Sequence, residues 1–229
     1  MEKTKRLAQK LAIQIQETYV SVNASTEECV NAVEELAHYC DGVVVQLPLP
    51  ESIAVERVLN SVPKEKDADM LSQKMYELFK RGKTDLLPAV VSAIRFIGER
   101  YALSYAQKKV LVVGEGRLVG KPVAHWLSLQ GARVWVVTKK DSQESFERFA
   151  RDADIVVLGA GVPGILTPSM VKEGVVIFDA GTSEEAGVLK GDASPECSQK
   201  ASLFTPVPGG IGPLTVTALF NNLLKLIVR

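Results

Sequence analysis

The stretch that decides the fold is Val110-Leu111-Val112-Val113-Gly114-Glu115-Gly116-Arg117-Leu118-Val119-Gly120-Lys121-Pro122. Its first four residues are apolar and three of them are β-branched, which is typical of a buried strand. Two glycines one residue apart interrupt the strand, and helical spacing follows over 119–130. A strand, a tight turn and a helix in this order let backbone N–H groups approach a phosphate closely. Alternatively, the glycines only relieve steric strain in an ordinary turn.

Strand patterns recur along the chain after this turn, at 133–137, 154–158 and 175–179. Because short helical patterns separate them, they predict a parallel sheet. Gly114, Gly161 and Gly181 follow three of the four strands. The carboxyl ends of parallel strands meet at one edge of a sheet. We therefore expect the backbone at that edge to approach a flat or phosphorylated ligand.

The first hundred residues carry a mixed pattern of helices and strands. The predicted elements are a helix at 3–11, a strand at 13–22, a helix after the cap signal at Ser25, a strand at 43–47, a short helix at 53–59 and a helix opened by Pro88. A hydroxyl followed by acids in the first turn, as after Ser25, is typical of a helix start. These elements predict a second α/β region.

Three polar side chains in this region are candidate ligand-binding groups. Gln46 ends an apolar strand at a position where open α/β sheets bind ligands. Alternatively, its amide only satisfies the backbone of the next loop. Asp67 and Asp69 lie in a charged connector. Their carboxylates either bind a ligand or belong to a solvated charge cluster.

Thr138, Lys139 and Lys140 follow the second strand of the predicted sheet. In a dinucleotide-binding unit, an acidic residue here would bind the ribose hydroxyls of NAD, whereas a basic cluster suits the extra phosphate of NADP. The first acid after this strand is Asp141. The pattern therefore favours NADP over NAD, although Glu115 in the glycine turn would repel that phosphate. A solvated strand end is the alternative.

Composition argues against several classes of protein. The 229 residues include 27 basic and 27 acidic side chains, so no broad nucleic-acid interface is expected. Cys29, Cys40 and Cys197 form no C-x-x-C pair, which argues against a zinc site or a disulfide framework. The N-terminus lacks the apolar core of a signal peptide, and no apolar run is long enough to span a membrane. We expect a cytoplasmic protein with no metal, nucleic-acid or membrane partner.

Proline and glycine are most concentrated in the loop at 205–215, which contains three of each. Prolines fix the backbone and glycines permit unusual angles, so this loop holds a specific shape. Helical spacing follows it to the C-terminus. A plain connection between two elements does not need such a loop.

Four segments together resemble the methylenetetrahydrofolate dehydrogenase/cyclohydrolase family, the bifunctional enzymes of folate one-carbon metabolism. They are D-G-V-V-V-Q-L-P-L-P at 41–50, K-D-A-D at 66–69, the glycine turn with V-G-K-P at 112–122, and T-P-V-P-G-G-I-G-P-L-T at 205–215. The resemblance implies hydride transfer from 5,10-methylenetetrahydrofolate to NADP or NAD, and hydrolysis of the methenyl product as a second activity. It also implies a homodimer.

The resemblance assigns roles to matched residues. Gln46 and Asp69 would line the folate pocket, with Gln46 near the reacting carbon. Pro208, Gly209 and Gly210 would lie near the substrate and the nicotinamide. The residues implied to bind the cofactor are Gly114, Gly116, Arg117, Gly120, Lys121, Pro122, Thr138, Lys139, Ala160, Gly161, Gly181 and Thr182.

The chain also departs from the family pattern. The general acid/base of the family is a Lys in a Tyr-x-x-x-Lys helix, and its position falls near Thr4 here, so Lys3 and Lys5 are the candidates. Met70 stands where the family has Gly. These departures leave open an alternative function, that of a catalytically impaired relative that binds nucleotide or folate.

The resemblance predicts an α/β protein of two lobes. Residues 1–104 would form a shortened α/β folate lobe. Residues 105–213 would form a Rossmann-type parallel-sheet lobe that binds the dinucleotide. The helix at 214–229 would return to pack on the first lobe.

Overall fold

The computed structural model describes residues 2–185 and 187–228. The chain divides into two compact units, one formed by residues 1–89 with 216–229 and the other by residues 90–215. The protein belongs to the α/β class, since the second unit combines helices with a five-stranded parallel sheet.

The sheet confirms the strands that we predicted in the second unit. The strands are β1 (Lys109–Val113), β2 (Arg133–Val137), β3 (Ile155–Leu158), β4 (Val176–Asp179), β5 (Ser183–Glu185), β6 (Val188–Lys190) and β7 (Leu203–Thr205). The parallel sheet has the order β2-β1-β3-β4-β7, and β5 pairs with β6 in an antiparallel hairpin. Every residue of β3 and β4 is buried, as expected of strands in the middle of a parallel sheet. The hairpin and β7 were not predicted.

The helices of both units follow the apolar spacing of the sequence. They are α1 (Glu2–Lys10), α2 (Thr26–Tyr39), α3 (Val55–Ser61), α4 (Gln73–Lys80), α5 (Ala89–Arg100), α6 (Gly120–Leu129), α7 (Gln143–Asp152) and α8 (Ile211–Ile227). Short 3-10 helices lie at Pro168–Met170 and Pro195–Gln199. Among the described residues, none of the helices combines the length and the apolar character needed to cross a bilayer.

Tyr105 packs on helix α5 and on helix α6. The hydroxyl of Tyr105 donates to the backbone oxygen of Ile94 at 3.3 Å, and its ring packs edge-to-face on Trp126 of α6. A Cβ at Gly98 would lie 2.1 Å from the Tyr105 hydroxyl oxygen, so the glycine lets the ring approach the helix. These contacts join α5 to the second unit, which begins at Val90.

Two strand predictions in the first unit are wrong, because residues 13–22 and 43–47 are extended without a β-ladder. At 43–47 the Val43 N–H donates to the Lys66 oxygen at 2.8 Å, which is one bond and not a ladder. A strand needs a neighbouring strand to satisfy its backbone, and none is found among the described residues of this unit. The described part of this region is therefore built from helices and extended segments.

The cap signal at Ser25 is confirmed as a capping box at the start of α2. The Glu28 N–H donates to Ser25 Oγ at 3.2 Å, and the Ser25 N–H donates to a Glu28 carboxylate oxygen at 2.7 Å. Helix α4 was not predicted, although Ser72 caps it through the Met75 N–H. The Ser72 cap was not recognised in the sequence, where a charged connector at 63–70 precedes it.

Helix α8 begins inside the Pro-Gly loop, earlier than predicted, and from Val216 it belongs to the first unit. The buried Asn222 amide donates to the backbone oxygens of Ala68 at 3.0 Å and Leu87 at 2.8 Å. The Asn222 side chain therefore links α8 to two loops, at residues 68 and 87, that lie 154 and 135 residues earlier in the sequence. Since both oxygens would lose a partner without it, Asn222 is a principal link of this unit.

Substitution of Asn222 tests this link. We expect Asn222→Ala to lower the free energy of unfolding by about 2–4 kcal/mol, because two carbonyl oxygens lose their hydrogen bonds. Asn221→Ala is the matched control, since Asn221 is exposed on the same helix, and it should change stability by less than about 0.5 kcal/mol. Urea unfolding measures both. Equal effects of the two variants would contradict the assigned role.

Candidate functional site

The glycine turn after β1 is closed by contacts between glycines. Gly114 has φ +96°, and its N–H donates to the Val137 oxygen at 2.7 Å. A Cβ at Gly114 would lie 2.6 Å from the oxygen of Gly159, and one at Gly120 would lie 2.0 Å from the oxygen of Gly114. Side chains at these positions would collide with backbone. Gly114 and Gly120 therefore shape the turn from inside.

The outer part of the same turn is open. A Cβ at Gly116 would meet no atom within 4 Å, so its backbone can be approached without obstruction. Arg117 is half-buried beside it, and in the first turn of α6 Lys121 is exposed and Pro122 is buried. An accessible backbone at a helix start with two cations fits an anionic group such as a pyrophosphate.

Side-chain hydrogen bonds of Thr138 and Asp141 stabilise the turn after β2. The Thr138 N–H and hydroxyl donate to one carboxylate oxygen of Asp141 at 2.8 and 3.0 Å, and the Lys140 N–H donates to Thr138 Oγ1. Asp141 is therefore engaged in the turn, and Lys139 and Lys140 are exposed. The cations are the side chains here that suit a phosphate.

The loop after β3 wraps around the buried carboxylate of Asp192. The N–H groups of Ala160, Gly161 and Val162 donate to it at 2.7, 3.0 and 2.8 Å. The Ala160 and Gly161 side of the loop is exposed, and a Cβ at Gly161 would meet no atom within 4 Å. This loop presents an open surface while its N–H groups are used internally.

A second buried carboxylate, Asp179, ends β4. It accepts N–H groups from Gly181 at 3.0 Å, Asp192 at 3.2 Å and Ala193 at 2.8 Å. Burial raises the pKa of Asp179 to about 6 against the opposing effect of these hydrogen bonds, and the charge of Asp192 adds to the rise. A Cβ at Gly181 would lie 2.0 Å from the Asp192 carboxyl carbon, so Gly181 makes room for a carboxylate. Its neighbour Thr182 is exposed.

The Pro-Gly loop begins at Thr205, whose Oγ1 accepts the Asp179 N–H at 2.8 Å. The Gly210 N–H donates to the Pro206 oxygen at 2.7 Å, and a Cβ at Gly210 would lie 2.7 Å from that oxygen. Pro208 and Gly209 are exposed, and Gly209 has φ +112° with open space beside it. The loop therefore exposes the backbone of Pro208 and Gly209, in a conformation fixed by the Gly210–Pro206 hydrogen bond, next to the end of β4.

In the first unit, the loop that carries Asp69 is held from several sides. Asp67 is buried and accepts the N–H groups of Leu71 and Ser72 at 3.2 and 2.8 Å. Met70 is buried with φ +58°, a left-handed conformation that favours glycine. Burial, and then the nearby Asp67 charge, raise the pKa of the half-buried Asp69 to about 6. Asp69 is thus ionised at pH 7 and above and can accept hydrogen bonds from a ligand.

Gln46 and the two candidate lysines complete the predicted set in this unit. Gln46 is exposed, and its amide lies 3.4 Å from the Leu47 oxygen, so the group is accessible to a ligand. Lys5 lies 2.7 Å from a carboxylate oxygen of Glu17, and this hydrogen bond raises the pKa of Lys5. Because its pKa is raised, Lys5 is an ammonium at neutral pH. Lys3 lies in α1, but its side chain falls outside the described structure.

Two residues that shape the site were missed from the sequence, Asp179 and Asp192. Asp179 ends the buried strand β4 two residues before Gly181, and Asp192 follows Gly191 after the exposed hairpin strand β6. An acid close to a glycine at the end of a strand is the signal that could have indicated them. We assigned Gly181 to a ligand, yet Gly181 and Gly191 both accommodate these carboxylates, since a Cβ at Gly191 would lie 2.2 Å from Asp179 Oδ2.

Comparison with known proteins identifies the family of the chain. The family model of the tetrahydrofolate dehydrogenase/cyclohydrolase NAD(P)-binding domain matches residues 88–229, and the model of the catalytic domain matches residues 1–69. The chain is 35% identical to the bifunctional protein FolD of Mycoplasmopsis synoviae, over 99% of this chain and 83% of the relative. It is 34% identical to FolD of Aquifex aeolicus, over 96% and 77%.

Solved structures show the same likeness. The bifunctional FolD methylenetetrahydrofolate dehydrogenase/cyclohydrolase of Campylobacter jejuni superimposes with a TM-score of 0.91 at 30% identity, covering 98% of this chain and 81% of that one. The Trypanosoma brucei FolD, solved with NADP and an inhibitor, gives a TM-score of 0.93 at 29% identity over 100% and 81%. Fold and site define a dinucleotide-binding folate enzyme. The chain belongs to the tetrahydrofolate dehydrogenase/cyclohydrolase family.

The pKa of Asp69 gives a stability test of its environment. An acid with a raised pKa in the folded state stabilises the fold below its unfolded pKa, near 4, and loses that contribution as the pH rises through about 6. Asp69→Asn cannot ionise, so we expect its free energy of unfolding, relative to the wild type, to be higher at pH 8 than at pH 4.5. Urea unfolding at the two pH values measures this difference.

The control for this experiment is Asp41→Asn, because Asp41 is an exposed acid of the same unit. Its stability relative to the wild type should be similar at both pH values. A difference for Asp69→Asn that does not change with pH would contradict the buried environment assigned to Asp69.

Proposed function

We propose that this chain oxidises 5,10-methylenetetrahydrofolate with NADP and hydrolyses the methenyl product. The observation that carries the proposal is that the family match covers both the catalytic-domain model and the NAD(P)-binding model in one chain. The open glycine turn with Arg117 and Lys121 supports the cofactor assignment. Nothing in the comparisons favours the alternative of an impaired relative that only binds nucleotide or folate.

For the cofactor, we propose that Gly116, Arg117 and Lys121 bind the pyrophosphate and that Lys139 faces the extra phosphate of NADP. The exposed backbone at Ala160, Gly161, Thr182 and Gly209 would pack against the flat parts of the ligand. Gly114, Gly120 and Gly181 would act by setting backbone shape, and the buried Pro122 by fixing the backbone of the first turn of α6. When bound, NADP supplies the hydride acceptor.

For the folate, we propose that Asp69 accepts hydrogen bonds from N–H groups of the pterin and that Gln46 contacts the substrate near the reacting carbon. Asp69 suits this task because it is ionised at neutral pH and is held on a tightly bonded loop. Pro208, Gly209 and Gly210 would contribute shape and exclude water. The chemistry needs little more than orientation of the two reacting atoms.

Hydrolysis of the methenyl product also requires transfer of a proton. We propose that Lys5 donates this proton to the departing nitrogen, because Glu17 keeps Lys5 protonated. Lys3 is the neighbouring candidate on the same helix. Glu17 would then set the pH range over which hydrolysis operates.

We further propose a homodimer in the cytoplasm. The exposed apolar side chains Ile15, Tyr19, Val20 and Val22 in the first unit support an association surface. Cys29, Cys40 and Cys197 form no disulfide, which suits a reducing compartment. Light scattering of the purified chain should give about twice the 24.8 kDa mass of one copy.

The proposed activity is tested by turnover of the purified chain with 5,10-methylenetetrahydrofolate and NADP, and then with NAD. We expect reduced cofactor to form, faster with NADP than with NAD. Binding of NADP in calorimetry without turnover of either cofactor would overturn the enzyme assignment and establish the non-catalytic alternative. A folded chain that binds neither ligand would overturn both.

The choice between NADP and NAD generates a prediction for Lys139. We expect Lys139→Ala to raise KM for NADP by about 10-fold, the loss of one charge-assisted contact to a phosphate, and to leave KM for NAD within about 2-fold. Lys140→Ala is the matched control on the next residue. Initial rates with both cofactors measure this. A larger effect of Lys140→Ala would contradict the assignment to Lys139.

The role of Lys5 generates a separate prediction for hydrolysis. We expect Lys5→Met to lower the rate of methenyl hydrolysis by about 100-fold and to change dehydrogenase turnover less than about 3-fold. Glu17→Gln replaces the charged acceptor of Lys5 with a neutral amide oxygen, so it should lower the pKa of Lys5, which Glu17 raises. Glu17→Gln should therefore move the alkaline fall of hydrolysis to lower pH. An unchanged pH profile would contradict proton donation by Lys5.

A further inference from the structure

The loop after β3 is held by a carboxylate that comes about thirty residues later in the sequence. Asp192 is fully buried, and both of its carboxylate oxygens accept hydrogen bonds from the loop. One oxygen accepts the N–H groups of Ala160 and Gly161, and the other accepts that of Val162. Three consecutive N–H groups therefore converge on one side chain.

This arrangement fixes which atoms the loop can offer to a ligand. Because the N–H groups at 160–162 point at Asp192, they do not serve as phosphate donors. The oxygen of Gly161 is also engaged, since it accepts the Ser183 hydroxyl at 2.9 Å. What remains exposed is the outer surface of Ala160 and Gly161. Such a surface suits a flat apolar group better than a charged one.

Asp192 is itself held by Asp179 at the end of β4. The N–H groups of Asp192 and Ala193 donate to Asp179 at 3.2 and 2.8 Å. Gly181 and Gly191 leave the space that the two carboxylates occupy, because a Cβ at either would lie 2.0–2.2 Å from a carboxylate atom. The ends of β3 and β4 are thus joined by two successive carboxylates.

We infer that Asp192 is a positioning residue for cofactor binding, which sets the shape of the 160–162 loop before NADP arrives. The inference rests on the proposed function, since it assigns that loop to the cofactor. Asp192 acts through backbone and does not touch the ligand. Its removal should therefore weaken binding of NADP and leave the reacting atoms unaffected once the cofactor is bound.

Asp192→Asn is the sharpest test, because it keeps the size of the side chain. Its oxygen can still accept two of the N–H groups, but its NH₂ group would face the third N–H and repel it. We expect Kd and KM for NADP to rise about 10-fold and kcat at saturating NADP to stay within about 2-fold. Amide hydrogen exchange at 160–162 should accelerate in the unliganded variant.

Asp154→Asn is the matched control. Asp154 precedes the other end of β3, and it accepts the Lys109 N–H at 2.8 Å and the Lys172 ammonium at 2.7 Å. Its loss should lower stability but leave Kd for NADP unchanged. A purely structural role for Asp192 would make the two variants alike, with lower stability and unaltered NADP affinity. That result would overturn the inference.

The wild-type chain supplies a measurement that needs no variant. Its amides at 160–162 should be protected from exchange before NADP is added, and protection should change little on binding. Fast exchange in the unliganded protein would overturn the inference even if Asp192→Asn fails to fold. Failure of the wild type to bind NADP in calorimetry would instead overturn the proposed function, so the two failures are distinguishable.

Discussion

The carboxyl edge of the parallel sheet depends on two buried carboxylates whose charges are balanced by backbone N–H groups. Asp179 and Asp192 each accept three such groups, and together they connect the ends of β3 and β4. A buried charge without partners would be strongly destabilising, so the loops cannot move away without exposing or orphaning it. The shape of the edge is therefore a consequence of charge burial. The glycines beside the carboxylates provide the space that this burial requires.

The first unit holds its candidate folate-binding loop by a similar device. Lys66 donates to the oxygens of Ala37 and Cys40 at the end of α2, Asp67 accepts two N–H groups, and Asn222 binds the Ala68 oxygen. These bonds surround Asp69, whose side chain has a raised pKa. In both units, polar groups that contact only backbone hold the loops to which ligand contacts are assigned. Rigid support of this kind lets each loop hold a ligand without large reorganisation.

Sequence patterns were sufficient for elements whose stability is local or whose burial is complete. The strands β1, β3 and β4 were predicted because strands buried on both faces are apolar throughout. The capping box of α2 was predicted because it depends on a few adjacent residues. The extended segments 13–22 and 43–47 were predicted as strands and are not, because a ladder depends on a neighbouring strand that the pattern cannot supply. The roles of Asp179 and Asp192 were missed for a similar reason. Their partners lie up to 32 residues away along the chain.

The central claim is that a preformed sheet edge binds NADP, with its pyrophosphate at the turn after β1. A crystal structure of the chain grown with NADP tests it most directly. We expect the pyrophosphate to lie against Gly116 and Lys121, with the N–H groups of 160–162 still bonded to Asp192. A cofactor bound away from this turn, or a loop whose N–H groups have left Asp192 for the phosphates, would contradict it.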